Sequence, residues 1–234
     1  MSKHSHWAKV KRAKGSADRA KAIVGSKMLK LISTAAKSGG GDPAMNFKLR
    51  LIMDTAKQAG VTKDAIDRAI AKATGAGADA EQLETLLYEV YGPGGVAILV
   101  ECLASNRNKA VSETKHAVNV NNGTMAGEGS VKWMFQHRGV LRYAKVQNDE
   151  FELKAIDAGA DDVAFEDDGY TVYTGLDNLE KVKNNIGEEV EFAGWQWIPK
   201  DRVPVPETEQ EKLEALLEAL DELEDVNEVY TNAE

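Results

Sequence analysis

The spacing of apolar residues predicts a long amphipathic helix near the start of the chain. From residue 17 to residue 38, apolar side chains recur every three or four positions, which places them along one side of a helix. They are Val24, Met28, Leu31, Ile32 and Ala35. Polar and basic residues fall on the opposite side, at Arg19, Ser26, Lys30, Ser33 and Lys37. The pattern therefore predicts a helix with one buried stripe and one outward basic stripe.

Two shorter helices are predicted after the glycines at positions 39 to 41. Asp42 is a suitable N-cap and Pro43 suits the first helical position, so a second helix is expected to run to about residue 59. Thr62 is expected to cap a third helix that runs through residue 72. The residues predicted to face inward from these helices are Met45, Leu49, Ile52, Ala56, Ile66 and Ile70. Three helices of this kind make a small bundle.

The pattern changes after the small, flexible residues at 75 to 79, where β-branched and aromatic residues become frequent. Two strands, 83–91 and 96–103, are joined by Gly-Pro-Gly-Gly, which is typical of a hairpin. A helix capped by Ser105 or Asn106 follows, to about residue 121, and residues 130–136 are predicted to form a strand. The order in this region is therefore β-β-α-β.

The next region reads as β-α-β-β-α-β, the ferredoxin-like order. Its predicted strands and helices are 140–146, 149–158, 162–166, 170–174, 176–186 and 189–198. The last part of the chain opens with a capping box, Thr208 to Glu211, and continues with a leucine stripe and a short strand at 226–230. This final helix and strand are expected to complete the interrupted β-β-α-β unit.

These elements predict an α+β protein of three domains. Residues 1–78 form a basic helical bundle. Residues 79–137 and 200–234 form a middle α+β domain, and residues 138–199 form a ferredoxin-like domain inserted in it.

The net charge of −9 hides a division along the chain. Residues 1–75 contain 16 Lys and Arg against 5 Asp and Glu, a net charge of +11. Residues 76–234 contain 13 Lys and Arg against 33 Asp and Glu, a net charge of −20. The amino-terminal part therefore attracts a polyanion such as nucleic acid, and the rest repels it.

The candidate nucleic-acid-binding residues begin with an arm at the amino terminus. Basic and aromatic residues are interleaved there, at Lys3, His4, His6, Trp7, Lys9, Lys11, Arg12 and Lys14. The cations neutralise phosphates, and the indole offers a face on which a base can stack. Arg19, Lys30 and Lys37 continue this basic surface along the first helix. A solvated terminus without a ligand is the alternative interpretation of the arm.

A secondary phosphate contact is predicted at Arg107 and Lys109, which open the helix after the hairpin. Backbone N–H groups at a helix start favour anions. The alternative is that Asn106 and Asn108 only cap this helix.

Other kinds of site are not supported by the sequence. Cys102, the only cysteine, lies in an apolar run that is typical of a core strand, and no base is placed beside it. His4 and His6 lack a third metal ligand, and the glycine-rich stretches lack the Lys-Ser or Lys-Thr of a phosphate-binding loop. We therefore expect no catalytic residue, metal or cofactor, and a non-enzymatic protein. With no apolar segment long enough to span a membrane or serve as a signal peptide, a cytoplasmic location is predicted.

Recognised base-reading modules are not evident in the sequence either. It shows no zinc-finger cysteines, no aromatic strand pair and no helix pair with a tight turn. Contacts to the nucleic-acid backbone and shape are therefore expected to outweigh sequence readout.

Several stretches, in order along nearly the whole chain, resemble the YebC family, which includes the mitochondrial translational activator of cytochrome c oxidase. They are HSHWAKVKRAK, AAKSGGGDP, NFKLRLIMDTAKQAGVTKDAIDRAIAKATG, YEVYGPGGVAILVECLASNRNK, GSVKWMF and LEDVNEVYTN. The chain departs from the usual GHSKW opening at Lys3 to Trp7. The resemblance implies three domains, one helical and two α+β, with the third inserted in the second. It also implies a probable DNA-binding transcriptional regulator or, alternatively, a ribosome-associated translation factor that contacts ribosomal RNA through the same basic domain.

Overall fold

The computed structural model describes residues 17–75, 83–144, 147–166 and 169–234, with side chains in the first helix from residue 23 onward. These residues fall into two compact units. The smaller unit is Gln136–Ile198, and the larger contains the described residues of 15–135 together with Pro199–Glu234.

The described chain is a mixture of helices and antiparallel sheets, which confirms the α+β class. Its helices are α1 (Ala17–Gly39), α2 (Phe47–Gln58), α3 (Lys63–Thr74), α4 (Arg107–Val120), α5 (Asp149–Asp157), α6 (Leu179–Ile186) and α7 (Glu207–Asp221). Its strands are β1 (Glu84–Tyr91), β2 (Ala97–Ala104), β3 (Thr124–Met125), β4 (Phe135–Tyr143), β5 (Asp162–Glu166), β6 (Gly169–Thr174), β7 (Phe192–Pro199) and β8 (Val226–Thr231). Single 3₁₀ turns occur at Pro93–Gly95 and Lys132–Met134.

Helices α1, α2 and α3 share one apolar core, as the periodicity predicts. Ile32 and Ala35 of α1 are buried against Leu49 and Ala56 of α2 and Ile66 of α3. Met28, Ile52 and Ile70 pack around these residues in half-buried positions. Most of the residues that were predicted to face inward therefore lie in this core or pack against it.

The start of α2 differs from the prediction, which placed it at Asp42 and Pro43. The helix begins at Phe47, and Asn46 is its N-cap, because the Asn46 carboxamide oxygen accepts from the Leu49 N–H at 3.0 Å. The same carboxamide donates to the carbonyl oxygens of Ala35 and Gly40, at 2.9 and 2.8 Å. Asp42 instead begins a turn that precedes α2, in which it accepts hydrogen bonds from the Ala44 and Met45 N–H groups. Met45 is 84% exposed rather than inward.

The sheet of the larger unit has the strand order β3-β1-β2-β8. β1 and β2 form the predicted antiparallel hairpin, and β8 pairs with β2, so the terminal strand completes this sheet as expected. α7 contributes its leucine stripe to the core. Its predicted capping box is wrong, because the helix begins at Glu207 after Pro206 and no side chain caps it.

Residues 130–134 do not form the predicted strand. The backbone N–H groups of Gly129, Val131 and Lys132 donate to the carboxylate of Glu89 on β1, so they are not available to a neighbouring strand. The chain turns here as a 3₁₀ segment, and β4 starts only at Phe135. The apolar residues of this stretch were compatible with a strand, but the buried carboxylate decides its conformation.

The sheet of the smaller unit has the order β5-β6-β4-β7. With α5 between β4 and β5, and α6 between β6 and β7, this is the ferredoxin-like order that the sequence predicts. Phe151 and Ala155 of α5, and Leu179, Val182 and Ile186 of α6, are buried.

Candidate nucleic-acid interface

The predicted arm lies outside the described residues. The predicted binding residues of the arm are Lys3, His4, His6, Trp7, Lys9, Lys11, Arg12 and Lys14. Arg19 belongs to α1, but its side chain also lies outside the described part.

The outward side of α1 is not an uninterrupted basic stripe. The Lys30 ammonium lies 2.7 Å from Asp225 Oδ1 and 3.8 Å from Glu224 Oε1. One turn earlier, Lys27 is 6% exposed, and its Nζ donates to the Asp221 carbonyl oxygen at 2.7 Å. The carboxyl end of α7 and the loop before β8 thus neutralise part of the positive charge of α1. The prediction that Lys30 faces outward on a basic stripe needs this correction.

The amino terminus of α4 has the predicted cap. Asn106 has an extended backbone conformation, and its Oδ1 accepts from the Lys109 N–H at 3.0 Å. Arg107 is exposed at the first position of the helix. The cap is therefore real, and it occupies one of the N–H groups that an anion would otherwise bind.

Asp225 connects two of the predicted nucleic-acid-binding residues. Its Oδ1 is 2.7 Å from Lys30 Nζ, and its Oδ2 is 3.9 Å from Lys109 Nζ. Lys109 is also 3.8 Å from Glu113 Oε1, one turn along α4. Two lysines from distant parts of the chain therefore converge on one carboxylate. A phosphate group could take the place of this carboxylate between the two ammonium groups. We call Lys30, Lys109 and Asp225 the Asp225 cluster.

Lys37 lies at the exposed end of α1 and lines a pocket of about 250 Å³ between α1 and α3. Its other lining residues are Ser33, Thr34, Ser38, Lys72, Ala73 and Leu83. Lys37 and Lys72 thus place two ammonium-bearing side chains beside hydroxyl groups. Such a combination suits an anionic group.

Five exposed cations of α2 and α3 were not among the predicted binding residues. They are Lys48, Lys57, Lys63, Arg68 and Lys72. Lys57 lies 3.3 Å from Asp54, and the Arg68 guanidinium donates to the Asp64 carbonyl oxygen at 3.0 Å. The helical periodicity indicates the outward position of these five residues, whereas the predicted binding residues lie in the arm, on α1 and at the start of α4.

Helices α2 and α3 are joined by a short turn at the place where the predicted helix end and the Thr62 cap put it. Four residues, 59–62, connect them, and Gly60 has a φ of 85°, which a side chain would strain. Thr62 Oγ1 then accepts from the Ala65 N–H at 3.4 Å and caps α3. A short, glycine-containing turn of this kind occurs both in simple helical hairpins and in helix-turn-helix motifs, in which the second helix carries the base contacts.

Cys102 is a core residue of β2, as predicted. It is fully buried, and its Sγ lies 3.9 Å from Thr114 Oγ1. Burial raises the pKa of the Cys102 thiol to about 12, with smaller contributions from neighbouring carboxylates. The thiolate that a nucleophile requires is therefore strongly disfavoured.

Within the described ranges, no group of three or more His, Cys, Asp or Glu side chains is arranged to hold a metal ion. None of the helices described here is long and apolar enough to cross a bilayer.

Comparisons with known proteins cover both parts of the chain. A family model described as the TACO1/YebC protein N-terminal domain matches residues 5–76. A second model, described as the TACO1/YebC second and third domain, matches residues 83–233. The chain is 42% identical to a probable transcriptional regulatory protein of Desulfosudis oleivorans, over 100% of this chain and 96% of that protein. It is 39% identical to the probable transcriptional regulatory protein YebC of Salmonella arizonae, with the same coverage.

A solved structure shares the fold of this chain. The crystal structure of a conserved hypothetical protein from Aquifex aeolicus superimposes with a TM-score of 0.86 at 35% sequence identity. The match covers 98% of this chain and 96% of that one. On these matches, the chain belongs to the TACO1/YebC family.

Proposed function

We propose that this protein is a non-enzymatic regulator of gene expression that acts in the cytoplasm and binds nucleic acid through its basic helical part. The observation that carries the proposal is the charge of the α1–α3 region. Residues 17–75 contain 11 Lys and Arg against 5 Asp and Glu, and the cations of α2 and α3 are largely exposed. This surface attracts phosphates even before the five further cations of the arm are counted.

We favour duplex DNA as the ligand. The relatives are named probable transcriptional regulatory proteins, and α2 and α3 form a helix pair with a short turn. On α3 the exposed side chains include Lys63, Arg68 and Lys72, alongside Asp64 and Asp67. Arg bonds favourably to guanine in the major groove, and Asp can accept from cytosine. Helix α3 would therefore provide both backbone and base contacts.

Ribosomal RNA is the alternative ligand, and the same cations would bind it. Competition between a labelled DNA duplex and an RNA duplex of the same sequence, at moderate salt, tests the choice. Tighter binding of DNA supports the regulator of transcription. Preference for RNA, together with co-sedimentation with ribosomes in a sucrose gradient, would instead support a translation factor.

The Asp225 cluster predicts a secondary phosphate contact on α4. Replacing Arg107 and Lys109 together by alanine is expected to weaken nucleic-acid binding and to flatten the salt slope by about 1 to 2 units, since each lost phosphate contact changes it by roughly 0.7 to 0.9. Fluorescence anisotropy at several salt concentrations measures this slope. Unchanged affinity and slope would leave Asn106 capping as the only role of this segment. Lys181→Ala with Lys183→Ala, on α6, is the control for loss of two charges.

Asp225 is expected to restrain this contact, because it holds both Lys30 and Lys109. Asp225→Asn should therefore tighten nucleic-acid binding and steepen the salt slope by about 1 unit. Glu113→Gln makes the same change in net charge but removes only the more exposed carboxylate partner of Lys109 and leaves Lys30 paired. Equal gains from both variants would show a general charge effect and would contradict the specific role of Asp225.

A further inference from the structure

Trp133 is held in a fixed position with most of its surface exposed. It lies in the 3₁₀ turn Lys132–Met134 and is 63% exposed. Its indole Nε1 donates to the Ser130 carbonyl oxygen at 3.0 Å. The polar edge of the ring is therefore satisfied within the loop, and the remaining exposed surface is mainly the apolar ring. A large aromatic ring held in this way presents a flat apolar face on which a ligand can stack.

The loop that carries Trp133 is fixed by a buried carboxylate. Glu89 is 5% exposed, and it accepts hydrogen bonds from the backbone N–H groups of Gly129, Val131 and Lys132. Burial alone raises the pKa of Glu89, but these N–H groups and the Lys132 charge outweigh burial and hold the pKa below its usual range. Glu89 is therefore ionised at neutral pH and anchors the turn from beneath.

Tyr91 adds a second aromatic ring at the same point. Its hydroxyl donates to the Ser130 carbonyl oxygen at 3.1 Å, so it shares this acceptor with the Trp133 indole. Tyr91 is 38% exposed, at the end of β1. Two partly exposed aromatic side chains thus meet at one carbonyl group. Both side chains are therefore tied to the same loop through the Ser130 carbonyl oxygen.

The charges around this pair suit a phosphate-bearing ligand. Lys132 precedes Trp133, and the N–H of Lys200 donates to the Met134 carbonyl oxygen at 2.9 Å. Both lysines are exposed, and the acidic residues Glu128 and Asp201 lie close to them in sequence. These two lysines and two carboxylates have a net charge of zero, in contrast to the net charge of −20 across residues 76–234. A phosphate backbone can therefore approach this surface more readily than the rest of the acidic part.

We propose that Trp133 and Tyr91 form a stacking site for an unpaired nucleobase of single-stranded nucleic acid, with Lys132 and Lys200 beside its phosphates. The inference rests on the proposed function, because it adds a second contact to a nucleic-acid-binding protein. Aromatic rings bind bases of any sequence, since every base presents a π-face, and a rigid aromatic ring loses little entropy on binding. The site therefore selects single strands over duplexes, in which the bases are already stacked.

The test compares the full-length protein with its Trp133→Ala variant on three ligands, a short oligo(U), an oligo(dT) and a duplex of equal length. The variant is expected to bind the single strands roughly 5- to 150-fold more weakly. Duplex affinity, the salt slope and the melting temperature should stay unchanged, since the ring is exposed and uncharged. Trp133→Phe should restore part of the lost affinity. Comparison of oligo(U) with oligo(dT) tells whether RNA or DNA supplies the base.

Val120→Ala is the matched control, because Val120 is an exposed apolar residue of α4, 65% exposed, outside this loop. Equal single-strand affinity of the wild type and Trp133→Ala would overturn the stacking site while leaving the proposed function intact. Failure of the wild type to bind any of the three ligands would instead overturn the proposed function. Loss of ribosome co-sedimentation without loss of oligonucleotide affinity would assign the ring to a protein contact and would also overturn the stacking site.

Discussion

Deleting residues 2–14 is expected to flatten the slope of log affinity against log salt by about 3 to 4 units. The arm carries five cations, Lys3, Lys9, Lys11, Arg12 and Lys14, and each phosphate that they neutralise contributes roughly 0.7 to 0.9 to the slope. The helical core formed by α1, α2 and α3 involves residues from 28 onward, so the melting temperature should change little. Anisotropy titrations over a range of salt concentrations, with a calorimetric scan, measure both quantities.

A comparison with α1 separates the arm from the helix. Replacing Arg19, Lys30 and Lys37 by glutamine should flatten the slope by no more than about 2 units. Lys30 already pairs with Asp225, so its replacement reduces the counterion release on binding by less than the replacement of an unpaired lysine would. A salt slope that survives deletion of the arm would place the binding surface on the helices and would contradict the proposed role of the arm in phosphate binding.

Glu89→Ala is expected to lower the free energy of unfolding by about 3 to 5 kcal/mol, since it leaves three backbone N–H groups without their acceptor. Each unsatisfied buried donor costs about 1 to 3 kcal/mol, although water can reach the exposed residues Gly129 and Lys132. Urea denaturation measures the loss. Glu101→Ala is the control, because Glu101 on the adjacent strand accepts one bond, from Asn227 at 2.8 Å. It should cost no more than about 1 kcal/mol.

The pKa of Glu89 gives the same prediction a pH dependence. The folded-state pKa is lower than the unfolded value, which is about 4.3. Its contribution to stability is therefore fully present above the unfolded pKa and is lost as pH falls through the folded pKa. Between about pH 5 and pH 3, the wild type should lose stability more steeply than Glu89→Ala. Parallel pH profiles of the two proteins would contradict the anchoring role of this carboxylate.

Hydrophobic periodicity predicts most of this fold because burial decides where its helices and strands pack. Ile32, Leu49 and Ile66 are fully buried at positions that the helical spacing indicates. The errors occur where one side chain outcompetes a local signal. Asn46 bonds to three backbone groups and so starts α2 four residues later than Pro43 suggests. Glu89 similarly withdraws the backbone of residues 129–132 from strand pairing, across about 40 residues of sequence.

The candidate interface could be predicted only in part for the same reason. Charge alone identifies Lys30 and Lys109 as cations, but not the shared carboxylate of Asp225, which is 195 residues from Lys30 along the chain. The exposure of Trp133 could not be predicted either. The sequence predicts that Trp133 lies in a strand. In the structure it lies in the 3₁₀ turn beside Glu89, where its ring is exposed.

The most direct test of nucleic-acid binding by the basic helical part is the salt dependence of the intact protein. Affinity for a labelled duplex should be measured from low to moderate salt with the full-length chain. Binding through the arm and the exposed cations of α1–α3 predicts a linear log–log plot that falls with a slope of at least about 4 units. Binding that is absent at low salt, or an affinity that does not change with salt, would contradict the account.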